Sequence, residues 1–265
     1  MSSLFESLTR LVFILLLCGR AADAEVRIAS LNIAVKHDSK MLEEIRNQPD
    51  LRKADVLLLQ EVVDGPSEHV TGEIASALGL EFFVFAPAFQ MKPQYAEGLA
   101  ILSRYRLGPT DAIRLPRNNL HIGTTPRIAL AATVSSPMGE IRVINTHLDD
   151  RINEADERRQ LAPIWEDASR FIGACVIGGD FNSGNFWWAA HLIPVPGLQR
   201  QSAMLRREMA RRGFATPLGS GAATFHILGL KLDWIYVRNL IAAGSGVTPI
   251  RFSDHNAVWV TVRAR

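Results

Sequence analysis

The stretch Ala174-Cys175-Val176-Ile177-Gly178-Gly179-Asp180-Phe181-Asn182 places a short apolar run directly before two polar side chains. The apolar residues predict a buried β-strand over 174–178, and the glycine pair predicts a tight backbone turn before Asp180. Asp180 and Asn182 would then lie on a strand-end loop, where the residues of functional sites concentrate. Taken alone, Asp-Phe-Asn is also a common turn sequence.

Similar arrangements, in which a polar motif adjoins an apolar run, recur along the chain. The other motifs are Ile28-Ala29-Ser30-Leu31-Asn32, Leu57-Leu58-Leu59-Gln60-Glu61, Ile144-Asn145-Thr146-His147-Leu148, Leu232-Asp233-Trp234-Ile235 and Ser253-Asp254-His255-Asn256. Each motif is a weak signal, but together they predict strands that carry their polar side chains to a common rim. Carboxylates, amides and imidazoles gathered in one place can hold a hard cation and activate water against a phosphate.

The order of the elements predicts an α/β fold with two packed sheets and helices outside them. Strands and helices alternate early in the chain, and strands dominate its end. Predicted strands lie at 26–33, 54–60, 80–85, 98–103, 127–134, 141–146, 174–178, 231–237 and 257–262. Predicted helices lie at 39–48, ended by Pro49, at 67–78, closed by Gly79, at 153–172 and at 200–212.

Length and composition fit one large domain or two small ones, and the spread of the motifs along the chain favours one. The chain has 265 residues, of which 48% are hydrophobic, and the motifs extend from Asn32 to His255. The site therefore needs nearly the whole chain to be folded. The net charge of +2 is too small to indicate a nucleic-acid partner. Five arginines between 200 and 212 predict either a solvated helix face or a patch that steers phosphates.

The N-terminus is typical of a secretory signal. Arg10 precedes an apolar run over 11–17, and Ala22-Asp23-Ala24 supplies the small residues that a signal peptidase reads. We therefore expect a signal peptide over 1–24, cleaved after Ala24, a catalytic domain over 25–265, and a periplasmic or secreted location. The apolar run is shorter than the roughly 20 residues of a membrane span, and an uncleaved anchor is the alternative. After cleavage Cys175 is the remaining cysteine, and it is predicted to be a buried core residue.

Metal-binding residues are predicted among the acidic strand-end motifs. Glu61 is the first candidate ligand, with Asp254 beside it, because a carboxylate next to a buried strand needs a partner and Mg²⁺ takes one or two carboxylates. Asn32 would complete this rim by holding Glu61 or a metal-bound water. For Glu61, the alternative is a strand-end carboxylate in a surface ion pair.

Proton-transfer residues are predicted among the remaining motifs. His255 is interpreted as a general base whose tautomer is set by Asp233, or else as a turn-capping residue. Asp180 would orient the attacking water or contact the metal, and Asn182 would donate to a phosphate oxygen. His147 would stabilise the anionic transition state or protonate the leaving oxygen, unless it is structural.

In these motifs, and in the run Glu97-Gly98-Leu99-Ala100-Ile101-Leu102-Ser103-Arg104, the chain resembles the endonuclease/exonuclease/phosphatase superfamily. That group includes pancreatic-type deoxyribonucleases, abasic-site repair nucleases, neutral sphingomyelinases and inositol polyphosphate phosphatases. The resemblance covers almost all of the mature chain. It implies a four-layered α/β sandwich, Mg²⁺ or Mn²⁺, and in-line attack of water on phosphorus. By position it implies metal support from Asn32 and Glu61, a nucleophile and phosphate site at Asp180 and Asn182, an Asp233–His255 pair, and Asp254 beside the metal.

Within that superfamily, two positions narrow the branch. At position 147 the chain resembles the deoxyribonuclease and sphingomyelinase branches, which have histidine there, whereas the repair nucleases have tyrosine. Ala34 stands where the repair nucleases tend to place an acidic residue. We therefore expect a phosphodiesterase acting on nucleic acid, or alternatively on a phospholipid headgroup. Trp187 and Trp188 could enter a bilayer interface, stack on bases, or pack a short helix against the core.

Two further possibilities stay open at this stage. A non-catalytic binding module on the same fold would predict the loss of site residues, and none of the predicted ones is missing. Arg127, within Thr125-Pro126-Arg127, would contact a substrate phosphate or pair with a carboxylate.

Overall fold

The structure is a computed structural model that describes residues 24–118, 120, 124–184, 186–196 and 200–265. Apart from Ala24, the predicted signal segment lies outside the described residues. The strands are β1 (Glu25–Asn32), β2 (Val56–Gly65), β3 (Glu68–His69), β4 (Phe82–Lys92), β5 (Tyr95–Ser103), β6 (Leu107–Arg114), β7 (Ile128–Ser136), β8 (Gly139–His147), β9 (Ala174–Asp180), β10 (Phe186–Ala189), β11 (Ile193–Pro196), β12 (Asp233–Arg238), β13 (Leu240–Thr248) and β14 (Ala257–Ala264). The helices are α1 (Ser39–Asn47), α2 (Pro49–Arg52), α3 (Val70–Leu78), α4 (Glu154–Arg170) and α5 (Arg200–Arg211). In the described part of the chain, no helix has the length and apolar character needed to cross a bilayer.

Two mixed sheets form the body of the molecule. The first sheet has the order β13-β14-β1-β2-β5-β4, with β3 paired to β2. The second sheet has the order β12-β9-β8-β7-β6. Parallel pairs join β1 to β2 and β8 to β9, and the other pairs within these two sheets are antiparallel. The predicted pair of packed mixed sheets is confirmed.

Alternating residues show how the layers stack. In β2, Val56 and Leu58 pack into the core between the sheets, whereas Leu57 and Leu59 pack with Met41 and other residues of the helices on the outer face. Both faces of this strand are buried, which explains its unbroken apolar run. Helix α4 covers the second sheet in the same way, and the result is the predicted four-layered α/β sandwich.

The helix boundaries follow local signals. Asp38 caps α1 by accepting from the Met41 backbone N–H at 2.8 Å. Pro49 does not simply end this helix, as predicted, but begins α2, where its fixed φ suits the first turn. Gly79 closes α3 with a φ of 65°. The prediction that α3 starts at 67 is wrong, because Glu68–His69 pair with β2 as a short strand.

Besides the short strands β3, β10 and β11, the sequence prediction lacks β6 and β13, which lie at sheet edges. β6 borders the second sheet and β13 borders the first. Their side chains are mostly exposed or half-buried, so neither segment has the apolar run of a central strand.

The predicted turn at the glycine pair of β9 is wrong. The strand runs on through Asp180, paired on one side with β8 and on the other with β12. Gly179 has a φ of 138°, and a Cβ at this position would lie 2.0 Å from the carbonyl oxygen of Thr146. Glycine is therefore needed here for close approach to β8.

The segment with Trp187 and Trp188 is a hairpin of β10 and β11, so the short helix considered for it is wrong. Asn153 binds both backbone groups of Trp188, at 2.9 and 3.0 Å. The Trp188 ring packs edge-on against Phe186. The most exposed apolar side chains of this region are Leu192 and Ile193, at 57% and 64% of their area.

The basic helix α5 does more than present a solvated face. Arg212 lies 3.6 Å from the ring centroid of Trp165, and Arg206 lies 5.0 Å from that of Trp234. Both guanidinium groups thus cover core tryptophans from outside. Arg211 and Arg212 also pair with Glu208 at 2.9 and 2.8 Å.

Candidate active site

The predicted site residues converge where several strands end. Asn32 ends β1, and Asp180 stands beside His147 and Asp233 in the registers of β8, β9 and β12. Because the two parallel pairs end at this edge, and β12 begins there, their polar side chains meet across the sandwich. Glu61 lies on β2, and Asp254 and His255 lie just before β14.

Asn32 connects the two sheets at the site. Its amide nitrogen donates to Glu61 Oε1 at 3.0 Å and to Asp180 Oδ2 at 3.2 Å. Its amide oxygen accepts from the Ala34 backbone N–H at 2.9 Å. The side chain therefore presents N–H groups to the site and holds two carboxylates, rather than turning its oxygen towards a cation.

Below the rim, two buried amides tie the sheets together. Gln60 donates to Asn145 Oδ1 at 2.7 Å, and Asn145 donates to the carbonyl oxygens of Leu59 and Ala100 at 2.8 and 2.9 Å. Both side chains are fully buried. Neither residue has a role that its local sequence indicates, although both lie within the strand-end motifs. Their hydrogen bonds join residues that are far apart in the sequence, so the residues next to them give no sign of these contacts.

A carboxylate–imidazole pair forms one side of the site. His255 Nδ1 lies 2.8 Å from Asp233 Oδ2, and His255 Nε2 lies 3.7 Å from Asp180 Oδ2. Burial lowers the pKa of His255, but Asp233 and Asp180 outweigh this effect and raise it to about 10. His255 therefore carries a positive charge when no cation is nearby.

Ser253 fixes this pair to the first sheet. Its hydroxyl donates to the Asn32 carbonyl at 2.6 Å and accepts from the His255 backbone N–H at 3.0 Å. The Phe225 ring packs 5.1 Å from the imidazole ring of His255. Ser253 therefore positions His255 relative to Asn32. The residue lies in the motif Ser253-Asp254-His255-Asn256, but the sequence alone indicates no role for it.

The second histidine has a different partner. Arg127 Nη1 lies 3.0 Å from His147 Nδ1, and His147 Nε2 lies 3.6 Å from Asp180 Oδ2. Burial, reinforced by Arg127 and His255, holds the pKa of His147 well below 6.5. His147 is therefore neutral, unlike His255. Of the two partners considered for Arg127, the structure shows a carboxylate, since its Nε lies 3.3 Å from Asp149 Oδ1.

Asp180 lies at the centre of the site. Its Oδ1 accepts from the Asn182 backbone N–H at 2.9 Å, while Oδ2 faces Asn32 and both imidazoles. Burial, reinforced by Asp233, raises the pKa of Asp180 to about 7. The Asn182 side-chain nitrogen donates to the Leu148 carbonyl at 3.0 Å. That contact uses one of its two hydrogens.

Left-handed backbone conformations occur at two residues of the site and at one close to Asn32 in sequence. Glu61 has a φ of 55°, Asn182 one of 49°, and Ala34 one of 52°. Glu61 lies within a bulge, where the register of β2 against β5 shifts between Leu59 and Val62. Such conformations are costly for residues with a Cβ, and they concentrate where geometry serves function. The bulge accounts for the abrupt change at Glu61 from buried strand to partly exposed rim.

Glu97 is a further acidic residue near the site, and the sequence alone indicates no role for it. It lies on β5, and burial, then the charge of Glu61, raises its pKa to about 7, while Arg127 acts in the opposite direction. A raised pKa with a specific charge partner is typical of functional sites. In the sequence, Glu97 stands out only as the first residue of the run Glu97–Arg104, which belongs to the family resemblance.

The donor set fits a divalent cation. Ligand atoms of Asp180, Asp233 and His255 all lie within 4.8 Å of one another. The remaining Asp233 oxygen, Oδ1, is buried without a hydrogen-bond partner among the described residues. Glu61 and Asp254, the predicted ligands, lie outside this cluster on the partly exposed rim. Oxygen-rich donors of this kind suit Mg²⁺ or Mn²⁺.

Comparisons with known proteins identify the fold and the family of the chain. A family model described as "Endonuclease/Exonuclease/phosphatase family" matches residues 29–255. A solved family structure from Beutenbergia cavernae has a TM-score of 0.70 at 19% identity, over 91% of this chain and 72% of that one. The human Nocturnin catalytic domain, solved with a bound sulfate anion, has a TM-score of 0.67 at 18% identity, over 91% and 94%. TDP2 from Caenorhabditis elegans has a TM-score of 0.61 at 18% identity, over 91% and 75%. The structural likenesses establish the fold, and the family match shows that this chain belongs to the endonuclease/exonuclease/phosphatase family.

Proposed function

We propose that this protein is a divalent-metal-dependent phosphodiesterase that attacks phosphorus with water, and that nucleic acid is its substrate. The observation that carries the proposal is the convergence on Asp180. Two histidines, His147 neutral and His255 positively charged, face one of its oxygens at 3.6 and 3.7 Å, and Asn32 links Asp180 to Glu61. Such a cluster can accept a proton from water and bind an anion at the same place.

The electrostatics favour a division of roles among the three groups. Asp180, with a pKa of about 7, is suited to accept the proton of the attacking water at neutral pH. His255 was interpreted from sequence as the general base. The two carboxylates that face it favour its charged form instead. We therefore assign it to binding the phosphate anion, with Asp233 as its orienting partner. Neutral His147 would donate a hydrogen bond to a second phosphate oxygen.

Glu61 and Asp254 would hold the cation at the rim, beside the cluster of Asp180, Asp233 and His255, with Asn32 orienting Glu61. When bound, Mg²⁺ or Mn²⁺ polarises the phosphate and neutralises its developing charge. In this arrangement Asn182 supplies a side-chain amide beside the phosphate. Asn32 holds the carboxylates of Glu61 and Asp180 in place without the cation. This reduces the rearrangement that the site needs when a cation binds.

A groove beside the Glu61 end of the site supports a polyanionic substrate. It has a volume of about 390 Å³, and its lining includes Lys36, Lys92, Val35 and Met91. Val63, two residues after Glu61 on β2, also lines it. Two lysines next to exposed apolar side chains suit a backbone phosphate and an adjoining base.

The experiment is a cleavage assay of the purified mature protein on plasmid and single-stranded DNA. We expect cleavage with Mg²⁺ or Mn²⁺, loss in EDTA, and loss in His255→Ala and Glu61→Ala. Glu81→Ala, a change at an exposed glutamate just before β4, at the end of the first sheet opposite to Glu61, is the matched control and should cleave like the wild type. If the wild type cleaves no better than His255→Ala with either metal, the nuclease proposal is rejected. If the protein binds the metal but hydrolyses neither DNA, RNA nor simple phosphodiesters, the result would support the non-catalytic binding module instead.

A phospholipid headgroup is the second candidate substrate, and the exposed loop tips favour it. Ile227 and Leu228 are 64% and 62% exposed on the turn that follows Phe225, the residue packed against His255. Apolar side chains at the rim of a phosphodiesterase would suit a bilayer interface. Co-sedimentation with sphingomyelin liposomes tests this idea. Weaker partitioning of Leu228→Asp, or of Trp187→Ala and Trp188→Ala, supports it, whereas unchanged partitioning of all three rejects it.

We also propose that the protein is exported, with residues 1–24 removed. The first strand begins at Glu25, directly after the predicted cleavage site, so cleavage there would leave both sheets whole. N-terminal sequencing of the protein from cell fractions tests this. A mature chain that starts at Glu25 outside the cytoplasm supports export, and a chain that keeps its first residues contradicts it.

A further inference from the structure

Asp149 lies just behind the site and takes part in a buried network. It follows His147 by two residues and is 1% exposed. Its Oδ2 accepts from Asn118 Nδ2 at 2.9 Å and from Gln160 Nε2 at 2.8 Å. Its Oδ1 faces Arg127 Nε at 3.3 Å. The carboxylate is thus held from one side by two amides and turned towards the guanidinium on the other.

The guanidinium of Arg127 determines which nitrogen of His147 carries the proton. A guanidinium donates hydrogen bonds and accepts none, so His147 Nδ1, at 3.0 Å from Nη1, must be the acceptor. The proton of the neutral ring is therefore on Nε2. That atom faces the site, 3.6 Å from Asp180 Oδ2 and 3.9 Å from Glu61 Oε1. The N–H group stands where a phosphate oxygen would enter.

A competing carboxylate makes the position of Arg127 depend on Asp149. Glu97 lies close enough to the guanidinium for Arg127 to lower its pKa. Without an anchor, the guanidinium would be free to turn towards Glu97 and away from His147 Nδ1. Asp149 provides that anchor, because Asn118 and Gln160 leave it little freedom to rotate.

We propose that Asp149 is a positioning residue that holds Arg127 against His147 Nδ1 and thereby fixes the tautomer that presents Nε2–H to the substrate. The effect of Asp149 on turnover rests on the proposed function, but its effect on the tautomer of His147 does not. The tautomer itself is a property of the folded protein without substrate. Without this contact the His147 ring would share its proton between the two nitrogens and would also lose the partner that sets its orientation, so that fewer molecules would hold Nε2–H towards the substrate.

The variant Asp149→Asn isolates the contact to Arg127. Its amide oxygen can still accept from Asn118 and Gln160, but its NH₂ group then faces Arg127 Nε, donor against donor. The neighbouring Asp150→Asn makes the same chemical change at an exposed position and is the matched control. Asp149→Ser is the second variant in case Asp149→Asn does not fold.

The first measurement is the tautomer of His147, read from two-bond ¹H–¹⁵N correlations of the labelled protein without substrate. The signal is assigned by its loss in His147→Gln. We expect the Nε2–H tautomer in the wild type and in Asp150→Asn, and a mixture in Asp149→Asn and in Arg127→Met. A wild-type tautomer in folded Asp149→Asn or Asp149→Ser overturns the proposal. This measurement is decisive even if the wild type turns over no phosphodiester.

The second measurement is a double-mutant cycle on bis(4-nitrophenyl) phosphate with Mn²⁺. Asp149→Asn should lower kcat about tenfold with little change in KM, as expected for a residue that orients another. In the Arg127→Met background it should lower kcat no further, because Arg127 carries its effect. A second tenfold loss in that background would show that Asp149 acts independently of Arg127 and would overturn the proposed role.

Discussion

The buried carboxyl of Glu157 should lower the free energy of unfolding as the pH rises, and replacing Glu157 by glutamine should remove most of this loss. Glu157 lies on α4 and is 1% exposed. The Ser183 hydroxyl donates to its Oε1, while Oε2 is buried without a partner among the described residues. Burial raises the pKa of Glu157 from 4.5 to about 8. The folded protein therefore keeps a proton that the unfolded chain releases.

The sign and size of the effect follow from this difference in pKa. A carboxyl whose pKa is higher in the folded state stabilises the fold fully below about 4.5, and this stability is lost as the pH rises to about 8. Each pKa unit corresponds to about 1.4 kcal/mol, so the loss between pH 5 and pH 8 is about 4 kcal/mol. Glutamine keeps the shape and an oxygen for Ser183, but it has no proton to lose.

Urea denaturation at pH 5 and pH 8 measures the unfolding free energy directly. The advantage of Glu157→Gln over the wild type should grow by about 4 kcal/mol between these two pH values. Glu166→Gln, on the same helix but 64% exposed at its side chain, should show no comparable growth. If Glu157→Gln and the wild type lose stability in parallel, Glu157 is ionised in the folded protein and the reasoning is refuted.

Three further changes test the site and its scaffold. Asp233→Asn should lower kcat about a hundredfold or more, because the imidazole loses the carboxylate that orients it; steady-state kinetics on bis(4-nitrophenyl) phosphate would show this, and an unchanged kcat would contradict the pairing role. Glu61→Gln should weaken Mn²⁺ binding at least about tenfold by isothermal titration, since even residues that only orient metal ligands are worth that much, and equal affinity would remove Glu61 from the metal site. Gly179→Ala should lower the unfolding free energy by about 3 kcal/mol or more in urea, because its Cβ would lie 2.0 Å from the Thr146 carbonyl oxygen. Gly219→Ala, in open space, is its control, and equal stability of the two variants would contradict the close approach at Gly179.

Central strands and the order of the site residues could be predicted from sequence, for a physical reason. A strand buried on both faces is a continuous apolar run, and a polar side chain at its end has few positions other than the sheet edge. Val56 to Leu59 and Cys175 to Ile177 show this pattern in its clearest form. Cys175 is buried and unpaired, as predicted.

Features that depend on distant neighbours could not be predicted in this way. Edge strands such as β6 lack an apolar run, and the bulge at Glu61 depends on the register against β5. The contact of Arg127 with His147 joins residues 20 positions apart. Nothing in the local sequence of Arg127 distinguishes that partner from a substrate phosphate. The glycine pair of β9 indicates close packing, whereas the local pattern favoured a turn.

The position of the last strand has a consequence for how the enzyme is made. β14 lies in the interior of the first sheet, between β1 and β13, so the sheet begun by the first strand is completed by the last. During synthesis one edge of β1 has no partner until the residues of β14 have emerged, and His255, just before β14, emerges with them. The site therefore cannot be complete before these residues emerge, and its assembly is tied to the completion of the first sheet.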